Sequence, residues 1–230
     1  MRKVCTLLSL LCMFIFSQTL ALAKLPNCAK PDTITVRLKN KDTEKLIRSL
    51  FKQCKPGTIP YIIDQTFGKS LEQHLSINDF LQMPDSIMAI AIEGNTSLDK
   101  YVSSIIINRV GLQNASEPFM VSVLMHELLH IYLKFTRPDS LFNDHEEMAS
   151  EHITLLMNSM KEVYPQLSKL KQEAYAWGGL SKTKTWSKFI EKNWNKAKYI
   201  QDFGEKERLI FIKDNQSKYK NGNAITLLTH

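Results

Sequence analysis

Two histidines and a glutamate stand at a spacing that suits metal chemistry. In His126-Glu127-Leu128-Leu129-His130 the two imidazoles are four residues apart, and in a helix that offset puts both on one face. Two nitrogen donors held in this way can share one zinc ion, while Glu127 beside them can hold a water and act as general base. The chemistry such a set would perform is hydrolysis by a metal-activated water. The residues around it, Val121, Leu124, Met125, Leu128, Leu129, Ile131 and Leu133, make a helix that is apolar almost all round and is therefore expected to be buried. Burying two imidazoles and a carboxylate without a metal or other partners would be costly.

A catalytic zinc needs a third protein ligand and one position left open for water. The following segment offers His145, Glu146, Glu147, Glu151 and His152. At 100° per residue, Met148, Ala149, Ile153, Leu155, Leu156 and Met160 form an apolar stripe. His145 and His152 lie within it, and Glu147 and Glu151 nearly opposite. A ligand must face the metal-site helix, so the stripe favours a histidine. The two are seven residues apart, about 10.5 Å along a helix axis, too far to share one ion readily. Packing across the short loop would also bring Glu151 or His152 level with the motif, so the third position stays open on these residues alone.

The elements that must position these side chains divide by pattern. Thr33–Leu38, Ile59–Ile63, Ile87–Ile92 and Ser104–Val110 are short runs rich in Ile and Val, bounded by Pro, Gly and Asn, and read as strands. Asp42–Gln53 carries Leu46, Ile47, Leu50 and Phe51 at the helical period. Ser116-Glu117-Pro118 is a helix start, with the helix running from about Phe119 to Phe135 and ending before Pro138. Further helices are expected from Asn143 or Asp144 to Tyr164, near Leu167–Trp177, Thr185–Trp194 and Glu205–Ile212. Trp177-Gly178-Gly179 reads as a helix end, with lining of a cleft as a second possible role. Strands followed by helices predict an α+β domain: a small sheet in residues 24–118, then the motif helix and a helical half in residues 119–230.

H-E-L-L-H, fourteen residues, and then His145 opening a helix is similar to the arrangement of SprT-like zincin proteases. The similarity covers about Pro118–Met160. It implies a zincin-like fold, one catalytic zinc held by His126, His130 and His145, Glu127 as catalytic base, and a peptide or protein substrate. By the same resemblance, Ser104–Val110 is the edge strand that pairs with an extended substrate. Asp144–Ile153 and Ala176-Trp177-Gly178-Gly179-Leu180 also resemble uncharacterised exported bacterial proteins of this type. Gluzincins instead take a glutamate about twenty residues beyond the second histidine, and Glu151 lies at twenty-one. Glu146 stands where SprT-like proteins often have glycine, and no cysteine follows Cys54, so their C-terminal zinc ribbon is missing.

The first residues set the compartment. Met1-Arg2-Lys3, an apolar run from Leu7 to Phe16 and Ala21-Leu22-Ala23 have the layout of a signal peptide cleaved after Ala23. The apolar core is too short for a spanning helix, and nothing later is apolar enough to span. A periplasmic or extracellular protein is expected, in which Cys28 and Cys54 form a disulfide. Export also argues against the DNA role associated with SprT-like proteins. The chain carries +7 overall, and residues 160–230 alone carry +7, but their lysines are spread along helical sequence. That favours a solvated face over nucleic-acid binding. Two other functions fit the motif: an exported binding protein with a structural zinc, whose fourth ligand Glu147, Glu151 or His152 would supply, and a hydrolase of a non-peptide, cell-wall amide.

Overall fold

The computed structural model describes residues 33–52, 55–68, 72–81, 83–84, 87–97, 100–112, 115–137 and 144–219. The expected leader, residues 1–23, and the expected Cys28–Cys54 bridge lie outside them.

The chain is α+β and mostly helical. Its elements run β1 (Ile34–Arg37), α1 (Lys41–Leu50), α2 (Ile59–Phe67), β2 (Gln73–Phe80), β3 (Ala89–Ser97), β4 (Lys100–Asn108), a short turn of helix α3 (Arg109–Leu112), and α4 (Glu117–Thr136). Then come α5 (Asp144–Glu147), a π turn (Met148–His152), α6 (Ile153–Val163), α7 (Lys169–Ala176), α8 (Lys184–Lys192) and α9 (Trp194–Tyr219). The four strands form one mixed sheet in the order β1-β2-β4-β3. β2 is parallel to both β1 and β4, and β3 is antiparallel to β4.

Two sequence expectations for the sheet are corrected. Ile59–Ile63 begins a helix rather than forming a strand. Pro60 occupies its first turn, where the missing N–H costs nothing, and the Ile59 N–H is capped by Ser159 Oγ at 2.8 Å. Ile59, Ile63 and Phe67, all fully buried, recur every four residues, a period visible only when the window extends past Ile63. Gln73–Phe80, not expected as a strand, is β2. It buries Leu75 and Ile77 on one face and leaves His74, Ser76 and Asn78 on the other, so its apolar content is low although its alternation is that of a half-solvated strand.

β4 is paired on both sides and has no free edge, and Arg109 and Val110 have already left it for a helical turn. The edge next to the motif helix is therefore β3, not Ser104–Val110.

The inner face of the sheet, with Ile34, Val36, Leu75, Ile77, Ile105 and Ile107, packs into one core with the helices. α4 is central to it: Val121, Leu124, Met125, Leu128, Leu129 and Ile131 are all at most 1% exposed, as its all-round apolarity predicts. Its N-terminus is capped by Ser116 Oγ, which accepts from the Phe119 N–H, with Pro118 in the first turn. In the basic C-terminal region, Lys171, Lys182, Lys184, Lys188, Lys192 and Lys198 are exposed, as a solvated face requires. No helix among the described residues is long and apolar enough to cross a membrane.

Candidate metal centre

α4 carries His126 and His130 one turn apart on the face turned towards α5. His145, near the start of α5, completes the group: the three Nε2 atoms lie 3.2 Å (His126–His130), 3.2 Å (His126–His145) and 3.1 Å (His130–His145) from one another. A tetrahedral zinc with bonds of about 2.0–2.1 Å sets its ligands about 3.3–3.4 Å apart. The observed triangle comes within about 0.3 Å of that spacing. Three Nε2 atoms converging in this way could hold one metal ion.

The surroundings fix the rings. His130 Nδ1 donates to Asp144 Oδ2 at 3.2 Å, which sets the tautomer and leaves Nε2 as the lone pair, the usual arrangement behind a metal-bound histidine. His126 sits against the loop that follows α7. Gly179 there has φ +80°, and a Cβ at that position would lie 2.9 Å from His126 Cε1. Glycine is needed twice over: for the left-handed backbone and for the imidazole's seat. Burial, with the neighbouring rings His130 and His145, pushes His126 down to about 3, partly opposed by the backbone of Gly178. Burial also lowers His130, against the pull of Asp144. Both histidines are thus held neutral, as metal ligands must be.

Each carboxylate near His145 has a partner of its own. Glu146 accepts from the Lys184 N–H at 2.7 Å, the Thr185 N–H at 3.0 Å and the Thr185 hydroxyl at 2.5 Å. It caps α8, and those donors hold its carboxyl below the usual range. Glu147 pairs with Arg137 at 2.8 Å. The other candidates for the third ligand lie elsewhere: Glu147, Glu151 and His152 form a second, separate group. Glu147 was expected opposite the apolar stripe, yet its side chain is only 6% exposed. The π turn at Met148–His152 is the reason. It inserts an extra residue into the helix, so positions before it are rotated relative to those after.

Glu127 lies beside the histidines on α4. Its Oε2 accepts the N–H of Ala91, on the edge strand β3, at 2.9 Å. Burial pushes this carboxyl up to about 7, with the Ala91 bond opposing. His126 and Glu127 together line one end of a cavity of about 520 Å³ whose other walls come from the segment before β3 and from α7, α8 and α9.

The structure brings together His126, Glu127, His130 and His145. It leaves His152 with Glu147 and places Tyr175 in the cavity wall. Sequence reasoning missed Asp144 as the partner of His130 and Glu146 as the α8 cap, because both depend on which helices meet. Comparison with family models, with curated proteins and with solved structures returns no match.

Proposed function

We propose that this chain is an exported zinc-dependent peptidase of zincin-like build, with His126, His130 and His145 holding one zinc ion and Glu127 as general base. The convergence of three Nε2 atoms within 3.2 Å, beside a glutamate on a cavity wall, carries this reading. Zinc, when bound, supplies Lewis acidity, lowering the pKa of a bound water and polarising a carbonyl. Glu127, one oxygen held by Ala91 and its carboxyl raised by burial, is suited to take a proton from water and pass it to a leaving amine near neutral pH. Ala91 turns its N–H away from β4 towards Glu127, so the outward edge of β3 faces the site. An extended peptide adding to that edge by backbone pairing would run past Glu127.

A structural zinc site would be closed by a fourth protein donor. Among the described residues none joins the three histidines, and a structural site has no use for Glu127. The leader pattern at residues 1–23 supports placement outside the cytoplasm. The test is to purify residues 24–230, measure bound zinc, and compare cleavage of a mixed peptide library by the wild type and Glu127→Gln. Near one equivalent of zinc in both proteins, with cleavage only by the wild type, is expected. Less than about 0.1 equivalent after reconstitution would refute the reading, by the stoichiometry a preformed site must show.

A further inference from the structure

We infer that the outward face of the sheet is the contact through which two copies of this chain form a weak, two-fold symmetric dimer, sheet against sheet. The inference does not depend on what the histidine site does, because that site lies among the helices on the other side of the sheet.

Strand alternation sends one set of side chains to the helices and the other outward. Leu75, Ile77, Ile105 and Ile107 form the buried set. The outward set includes Phe80 of β2, Val102 and Ile106 of β4, and Ile90 and Ile92 of β3, with Ile90 directly opposite Ile106. A sheet face left to solvent is normally polar. Here Phe80 is 51% exposed, Ile90 40%, Ile92 44% and Val102 39%. With Leu81, just past the end of β2, they make up five of the six exposed large apolar residues among those described; the sixth is Trp194 on α9. Exposed apolar residues scattered singly need no explanation, whereas a contiguous patch marks a contact surface.

Charge and area point to a second copy as the occupant. Among the described outward side chains of β2, β3 and β4 there is no carboxylate, lysine or arginine. Depletion of charge is the mark of an interface core. The chain carries +7, so two copies repel, and they meet at least cost where neither presents a charge. An anionic bilayer would instead be met by lysines and arginines on the contacting face. In the middle of the face the Ser76 and Ser104 hydroxyls bond to each other at 2.7 Å, which lowers the cost of covering them. Four strands about 4.8 Å apart present about 400 Å² per copy. Two copies would then bury about 800–1,000 Å² in total, the size of a weak contact and not of a permanent dimer. A two-fold axis through the face sets Ile90, Ile92 and Ile106 of one copy among the same residues of the other, at the spacing of packed sheets.

The experiment is sedimentation velocity of the mature chain, residues 24–230, from about 5 to 500 µM, the range in which so small an interface should associate. A concentration-dependent dimer is expected. Ile90→Lys and Ile92→Lys should each raise its Kd at least about tenfold, because each substitution enters a two-fold interface twice. Both side chains are exposed and β3 is an edge strand, where lysine is well tolerated, so circular dichroism should be unchanged. Trp194→Lys removes the one exposed large apolar residue that lies off the sheet and should leave the dimer as it was. A chain that stays monomeric across the whole range overturns the inference. So does a dimer indifferent to both β3 lysines, or one equally weakened by Trp194→Lys. Vesicles of phosphatidylcholine and phosphatidylglycerol test the other occupant: cosedimentation with them by a monomeric chain, lost in Ile90→Lys, would give the face to a lipid surface and overturn the dimer.

Discussion

Replacing Gly179 by alanine should damage the proposed metal centre without touching a proposed ligand, and Gly57 provides the control. Both glycines have φ +80°. A Cβ at Gly57 meets nothing within 4 Å, whereas one at Gly179 lies 2.9 Å from His126 Cε1. Left-handed backbone costs an ordinary residue about 1–2 kcal/mol, so both Gly57→Ala and Gly179→Ala should lose that much stability. Only Gly179→Ala must also open a carbon–carbon contact to about 3.5 Å, moving the imidazole or the loop by about 0.6 Å. That exceeds the ±0.2 Å within which metal-ligand distances normally hold. Zinc affinity in Gly179→Ala should fall at least about tenfold, equivalent to about 1.4 kcal/mol, while Gly57→Ala binds like the wild type. The assays are urea unfolding of the metal-free proteins and competition for zinc with a chromophoric chelator. Zinc affinity of Gly179→Ala within twofold of wild type, or an equal loss in Gly57→Ala, would show that the glycine does not seat His126.

Asp144→Asn should weaken zinc binding by about 10–100-fold, the usual loss when a group orienting a ligating histidine is changed. It replaces the carboxylate that receives the His130 Nδ1 proton; unchanged affinity by chelator competition would remove Asp144 from the site. Tyr164 is 7% exposed and its hydroxyl has no hydrogen-bond partner among the described residues. Burial, then the nearby Glu117 and Tyr175, raises its pKa above the usual 10. Below pH 10 the phenol is neutral in folded and unfolded chains alike. Above it the unfolded chain ionises first, so stability is intact below pH 10 and lost as the pH rises further. Tyr164→Phe should therefore unfold at higher pH than the wild type and be nearly neutral at pH 7. A loss above about 1.5 kcal/mol at pH 7 in urea melts would mean that the hydroxyl makes a bond worth keeping.

Helical periodicity by itself determined the part of the site that lies within one turn. Once Phe119–Phe135 was read as a buried helix, His126 and His130 had to share a face with Glu127 adjacent, because an offset of four fixes that geometry wherever the helix packs. The α+β class and the sheet-first order were legible for the same local reason, from short Ile/Val runs followed by long periodic stretches. What failed was decided beyond the window. Ile59–Ile63 is too short an apolar run to separate strand from helix, and only Phe67 and a capping bond from Ser159 settle it. Gln73–Phe80 hides because its outer face is polar. The edge strand is set by sheet order: β4, which carries the isoleucine run, is interior, and β3 presents Ala91 to Glu127. The resemblance already implied His145, and tertiary structure set it against the two α4 imidazoles and sent Glu147, Glu151 and His152 elsewhere. A π turn changed the phase of the helix between them. Asp144 behind His130 and Gly179 beside His126 belong to the same class. Each is a residue whose role exists only where two segments distant in sequence come into contact.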